Sequence, residues 1–168
     1  MPLPCPASGS VVLETPGVRI LDTRALDWEP HPAVQGARRK VLSRDADGRP
    51  VLMLTWFPPG MRHVPRVADP HWKDDVAEYG YVLSGELPMR EYAGADDTEG
   101  IPVMLQAGHY IDRRPGSVHG VDRSVEQDVG FLWLQWYEWT GAGGPGSATA
   151  HTDVSVARPS GTAPGAAV

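Results

Sequence analysis

The chain has 168 residues, a length that suits one domain. Its 15 Lys and Arg residues against 21 Asp and Glu give a formal net charge of −6, which disfavours binding to nucleic acid or to an anionic membrane. The hydrophobic fraction of 41% supports a core, and no apolar run is long enough to span a bilayer. The single cysteine, Cys5, and the absence of a signal-peptide pattern at the N-terminus favour a cytoplasmic protein.

Short apolar runs alternate with turn signals along most of the chain, and this pattern predicts an all-β protein. The 19 Gly and 17 Pro residues agree with many turns and little helix. Residues 1–20 are predicted to form an N-terminal arm, 21–139 the folded domain and 140–168 a flexible Gly/Ala/Pro-rich tail. In chain order the predicted strands cover residues 11–13, 18–21, 37–42, 51–57, 79–83, 86–92, 102–105, 110–113, 118–121 and 129–137.

Two of these predicted strands have sequences that indicate what lies beside them in the folded protein. Pro88 lies inside the strand 86–92, and because proline cannot donate a ladder hydrogen bond, we expect an edge position or a bulge there. The segment 129–139 is apolar on both alternating faces, so its outer face is expected to be covered, either by the N-terminal arm or by a second copy of the chain. Together with six tryptophans, this predicts a homodimer.

Two segments bring polar side chains to the ends of predicted strands. The first, HWKDDVAEYGYVLSG, begins with His71 and Lys73, passes through Glu78 into an apolar run and ends at Gly85. The second, GHYIDRRPGSVHG, is a strand followed by a Pro-Gly turn and His119. Strands that carry His and Glu to the mouth of an apolar barrel can build a functional site.

These segments resemble the two sequence motifs of the cupin superfamily. The first motif, His-His-Glu-Gly in order, corresponds to His71, Lys73, Glu78 and Gly85, and the second corresponds to Gly108, Pro115, Gly116 and His119. The run from Trp28 to Gly60 is similar to small cupins related to acetylacetone-cleaving dioxygenase and to the cupin domain of zinc-binding anti-sigma factors. The resemblance implies a cupin jelly-roll β-barrel of two antiparallel sheets with little helix.

The resemblance also implies a metal site, with one departure. Metal-binding cupins hold one divalent first-row metal, such as Fe, Mn, Ni, Cu or Zn, with three His and in some members the Glu. His71 and His119 match ligand positions, but Lys73 stands where the second His is expected, and a protonated ammonium repels a cation. The missing ligand could be His63, His109 or Glu78.

Three functions remain open at this point. The first is a metal-dependent oxygenase that acts on a small ketone, hydroxyketone or aromatic metabolite, a role compatible with secondary metabolism in a bacterium of high GC content. The second is a metal-free isomerase, cyclase or lyase in which Lys73, Glu78 and the histidines supply acid–base or Schiff-base chemistry. The third is a non-catalytic small-molecule-binding cupin like the anti-sigma relatives. The chain has neither the length nor the cysteines for their extra zinc-binding domain, which favours an enzyme.

Overall fold

The computed structural model describes residues 10–140, and within them it is built almost entirely of antiparallel strands. Most of the predicted N-terminal arm and of the predicted tail therefore lies outside the described residues. A single 3-10 turn, Met61–His63, and the one-turn helix α1, Pro65–Ala68, are the helical elements of this part of the chain. Its strands are β1 Val11–Thr15, β2 Val18–Leu21, β3 Glu29–Pro30, β4 Arg38–Arg44, β5 Pro50–Phe57, β6 Val76–Ser84, β7 Glu86–Tyr92, β8 Ile101–Gln106, β9 Tyr110–Arg113, β10 Val118–Val121 and β11 Phe131–Trp139.

The strands form a large sheet of order β3-β4-β5-β11-β6-β9, a smaller sheet of order β10-β7-β8, and a separate β1-β2 hairpin. Strand β11 occupies the middle of the large sheet although it is the last described strand, because it pairs with β5 on one side and β6 on the other. The six-stranded and three-stranded antiparallel sheets and the scarcity of helix confirm the predicted jelly-roll architecture.

Alternation along β11 determines which side chains enter the space between the two layers. Phe131, Trp133 and Gln135 are buried there, whereas Leu134 and Trp136 are half-buried on the outer face. The inward aromatic rings join an apolar core shared by both sheets. Burial of each large apolar side chain contributes about 1.5–3 kcal/mol, so this core is the main force that holds the cavity walls together.

The position of Pro88 differs from the prediction, because β7 is the central strand of the smaller sheet. The ladder between β10 and β7 ends at the pair Val121–Met89, and one position further on the Asp122 amide donates to the Pro88 carbonyl. Pro88 thus lies just beyond the last residue pair of the β10–β7 ladder, where no further N–H donor is needed. A proline is therefore tolerated there although the strand is central and has no bulge.

The outer face of the large sheet carries a group of partly exposed aromatic side chains. The ring of Trp136 stacks on Tyr79 at a centroid distance of 5.5 Å and packs against Tyr110 at 5.9 Å. The predicted double-sided apolar character of β11 is present, and the homodimer inferred from it stays a prediction. Among the described residues, no helix has the length and apolar character needed to cross a bilayer.

Candidate functional site

A cavity lies between the two sheets and contains about 690 Å³ of empty space, part of it continuous with solvent. Its apolar wall includes Phe57, Leu87, Met89, Phe131 and Trp133, which come from both sheets. The polar wall is formed by His31, His71, Lys73, Glu78, Arg113, His119, Gln135 and Tyr137. Apolar walls with a few convergent polar groups are the usual form of a small-molecule site.

His71 and His119 are neighbours because the loop before β6 runs alongside β10. The two residues exchange backbone hydrogen bonds of 2.9 and 3.0 Å, and their rings lie 4.5 Å apart between centroids. The Nδ1 atom of His71 is 2.9 Å from the Asp69 carbonyl, and Nδ1 of His119 is 3.2 Å from the Ser117 carbonyl. A carbonyl can only accept, so each neutral ring carries its hydrogen on Nδ1 and a lone pair on Nε2.

Glu78 is the centre of the charged network, and strand register explains its neighbours. Glu78 pairs with Arg113 across β6 and β9, and with Tyr137 across β6 and β11. Arg113 Nη1 donates to Glu78 Oε1 at 2.8 Å, while Lys73 Nζ donates to Oε2 at 2.6 Å. The Glu78 side chain is 6% exposed, so both oxygens are engaged away from bulk water.

The charges in this network hold each group in a definite protonation state. Burial alone would raise the pKa of Glu78, but Lys73 and Arg113 outweigh it and hold that pKa well below its usual range. Burial would lower the pKa of Lys73, yet the charge of Glu78 and the nearby Tyr137 raise it instead. Burial, helped by the charge of Arg113, lowers the pKa of His119 well below its usual value. At neutral pH the site therefore holds an ammonium, a carboxylate and a neutral imidazole.

The structure brings together four of the residues that the motifs predicted: His71, Lys73, Glu78 and His119. It does not bring in the other two candidate ligands. His63 is exposed at the 3-10 turn, where its Nε2 accepts a hydrogen bond from Arg62 Nε at 3.0 Å. His109 is exposed as well, and its Nδ1 accepts from the Gln106 amide at 3.2 Å.

Four polar residues of the cavity wall were missed at the sequence level: His31, Arg113, Gln135 and Tyr137. The signal that could have found the strand residues among them was the alternation of side chains between the two faces of each strand. Arg113 falls on the same face of β9 as the core residue Ile111, and Gln135 and Tyr137 follow Trp133 on the inward face of β11. Polar side chains at inward positions of otherwise apolar strands require partners, and such positions often belong to a site.

The donor set does not fit a divalent metal ion. The described residues contain no group of three or more His, Cys, Asp or Glu side chains placed to hold one. Glu78, the candidate third ligand that lines the cavity, already accepts hydrogen bonds from Lys73, Arg113 and Gln135. The cationic side chains of Lys73 and Arg113 also line the cavity, and their positive charge opposes the binding of a metal cation there. The predicted set of His71, His119 and Glu78, with or without His63, is therefore not assembled as a ligand set.

A Lys73→His variant should bind a divalent metal at least tenfold more tightly than the unaltered protein. The substitution removes one positive charge, adds an imidazole and releases Glu78 Oε2 from its ion pair. Isothermal titration with Zn²⁺ or Co²⁺ measures the difference. Lys73→Met, which removes the charge without adding a ligand, separates the two contributions. Stoichiometric binding by the unaltered protein that is as tight as in Lys73→His would contradict this expectation.

Comparison with solved structures finds the same fold in several proteins. A predicted oxalate decarboxylase from Thermotoga maritima has a TM-score of 0.52 at 17% identity, covering 71% of this chain and 98% of that one. A putative ethanolamine utilization protein Q from Salmonella typhimurium gives 0.51 at 19% identity, over 76% and 92%. The polyketide cyclase RemF from Streptomyces resistomycificus gives 0.50 at 19% identity, over 71% and 78%. No family model and no curated protein matches the sequence.

Proposed function

We infer that this chain, which has the cupin fold, is a small-molecule enzyme that moves protons on a carbonyl compound without a metal ion. One observation carries the proposal. The Lys73–Glu78 ion pair occupies the region where metal ligands were expected, next to two imidazoles that present lone pairs on Nε2. The metal-dependent oxygenase lacks support because this donor set provides no third ligand.

The His71–His119 pair is suited to act as the general base. A neutral imidazole Nε2 takes a proton from the carbon next to a substrate carbonyl. The C–H electron pair then becomes a C=C bond, and the carbonyl π pair moves to the oxygen, which becomes an enolate. The two rings lie 4.5 Å apart, and because two like charges at that distance repel each other, the pair takes up one proton and not two.

Lys73 acts in this proposal as a fixed positive charge. Its pKa is raised by the charge of Glu78 despite burial, so the free amine needed for a Schiff base is scarce at neutral pH. A permanent ammonium in a partly apolar cavity favours negative charge developing on the substrate. Glu78 holds that ammonium in place and is itself kept ionised, so it serves as a positioning residue here and not as a base.

The same enolate leads to three related reactions. Return of the proton to a different carbon is an isomerisation. Attack of the enolate carbon on a second carbonyl of the same molecule closes a ring, and loss of a leaving group from the adjacent carbon is a lyase reaction. The likeness to the polyketide cyclase RemF extends to the fold, and cyclisation is one of the three outcomes open to this site.

Hydrogen exchange at carbon tests the proposed step directly. Acetylacetone, acetophenone and hydroxyacetone are incubated with the protein in D₂O, and deuterium incorporation is followed by NMR. We expect protein-dependent exchange that survives a chelator, and about 100-fold or greater loss in His119→Ala and His71→Ala. His109→Ala, which removes an exposed histidine outside the cavity, should leave the rate unchanged. Exchange at the background rate, or its loss after chelation, would refute the proposal.

A further inference from the structure

The orientation of the Gln135 side chain is fixed by its partners. Its Nε2 donates to Glu78 Oε2 at 3.2 Å, and its Oε1 accepts from the Thr55 hydroxyl at 3.0 Å. The reversed amide would place a carbonyl oxygen against the carboxylate of Glu78, an arrangement with two acceptors and no hydrogen. The Nε2 atom is therefore also the group that faces the Tyr137 hydroxyl, at 2.9 Å.

The Tyr137 hydroxyl oxygen receives two hydrogen bonds in this arrangement. Gln135 donates the first, and Lys73 Nζ donates the second at 3.2 Å. A hydroxyl has one hydrogen to give and two positions at which to accept, so both accepting positions are filled. Within residues 10–140 no acceptor is recorded for the hydrogen of Tyr137, and the residue lines the cavity. Its O–H bond is thus available to a molecule bound there.

Lys73 offers a second donor next to the first. An ammonium has three N–H bonds, and the contacts recorded in the described part of the chain are those to Glu78 and Tyr137. The Lys73 side chain is 26% exposed and lines the cavity, so its third N–H can reach a bound molecule. Two donors whose heavy atoms are 3.2 Å apart can converge on a single oxygen atom.

We propose that Tyr137 O–H and Lys73 N–H together bind the negatively charged oxygen of an enolisable ketone with an aromatic or alicyclic body. This inference rests on the proposed function and names the substrate class of the same site. In this proposal the oxygen binds between the two donors, in the cavity that His71 and His119 also line, and the ring packs on the apolar wall that contains Phe57, Phe131 and Trp133. Burial and the charge of Glu78 outweigh the opposing charge of Lys73 and leave the pKa of Tyr137 raised, which keeps this hydroxyl protonated as a donor.

Substituted phenols test the site because a phenolate presents a charged oxygen on an aromatic ring. We expect a nitrophenol to bind the unaltered protein as the phenolate, with an ionisation constant shifted to lower pH than in water, as read from its absorbance band. Tyr137→Phe should weaken phenolate binding at least tenfold and reverse most of this shift. Tyr79→Phe removes a hydroxyl from the outer face of the same sheet, where it bonds to Glu138, and should change neither quantity.

The outcomes separate this proposal from the preceding one. Binding of phenols only in the neutral form, or no binding at all, overturns the oxyanion site, and this measurement needs no variant. If Tyr137→Phe binds the nitrophenol with the same affinity and the same ionisation constant as the unaltered protein, and melts at the same temperature, Tyr137 is not part of the site. This holds even if the histidine variants still lose hydrogen exchange at carbon. Phenolate binding that depends on Tyr137 in a protein that exchanges no ketone supports the site and refutes the catalytic step.

Discussion

Glu78→Gln should lower the free energy of unfolding by about 3 kcal/mol, toward the lower end of what the loss of a buried ion partner costs. The substitution keeps the shape of the side chain but leaves Arg113 and Lys73 facing each other without the carboxylate between them. Arg113 keeps its contact with Glu91, and Lys73 is partly open to water, so neither charge is wholly uncompensated. Urea unfolding monitored by circular dichroism measures the change.

Glu29→Gln is the matched control for this expectation. Glu29 also forms an ion pair with an arginine, Arg39, at 2.8 Å, but its side chain is 44% exposed. Such pairs contribute about 0–1 kcal/mol, so the control should stay near the unaltered protein. Equal and small losses in both variants would show that the Glu78 network contributes no more than a surface pair.

Gly85→Ala should destabilise the protein by about 3 kcal/mol or more, enough to reduce the soluble yield. Gly85 joins β6 to β7 with a φ of 78°, a left-handed conformation that costs other residues about 1–2 kcal/mol. A Cβ atom built there lies 1.8 Å from the Gly130 carbonyl oxygen, so the backbone of one segment must move. Expression level and denaturant unfolding report the effect.

A second glycine isolates the contribution of this close approach. Gly94 lies in the loop after β7, has no positive φ, and a Cβ placed there meets nothing within 4 Å. Gly94→Ala should therefore be neutral in the same assays. If Gly85→Ala unfolds at the same denaturant concentration as Gly94→Ala, the turn tolerates a side chain and the packing described above is wrong.

The sequence predicted the jelly roll and the meeting of His71, Glu78 and His119, because turn spacing and the two motifs are local patterns, but it left open whether Lys73 faces the same cavity. It did not predict Arg113 or Tyr137 as neighbours of Glu78. Those contacts depend on the register of three strands that are far apart in the chain, and register is fixed by tertiary pairing.

The expectation of a metal depended on the protonation and engagement of single side chains. The motif positions locate Lys73 and Glu78, but they do not tell whether the carboxylate faces an ion or an ammonium. That choice follows from Arg113 on the neighbouring strand, which with Lys73 occupies both oxygens of Glu78. The Pro88 position was mispredicted for a related reason, since a strand can be central even where one of its two ladders stops short.

The central place of β11 has a consequence for how this chain folds. Strands β3, β4 and β5 form one side of the large sheet and β6 and β9 the other, and among the strands of residues 10–140 β11 alone joins them. During synthesis both halves are made before this strand, so their apolar edges stay unpaired until Trp139 has left the ribosome. Pairings between distant segments of a chain form slowly because loop closure must precede them. The nascent chain is therefore expected to be most prone to aggregation just before its last described strand emerges, and early termination there removes Phe131 and Trp133 from the core and leaves the two halves of the large sheet unjoined.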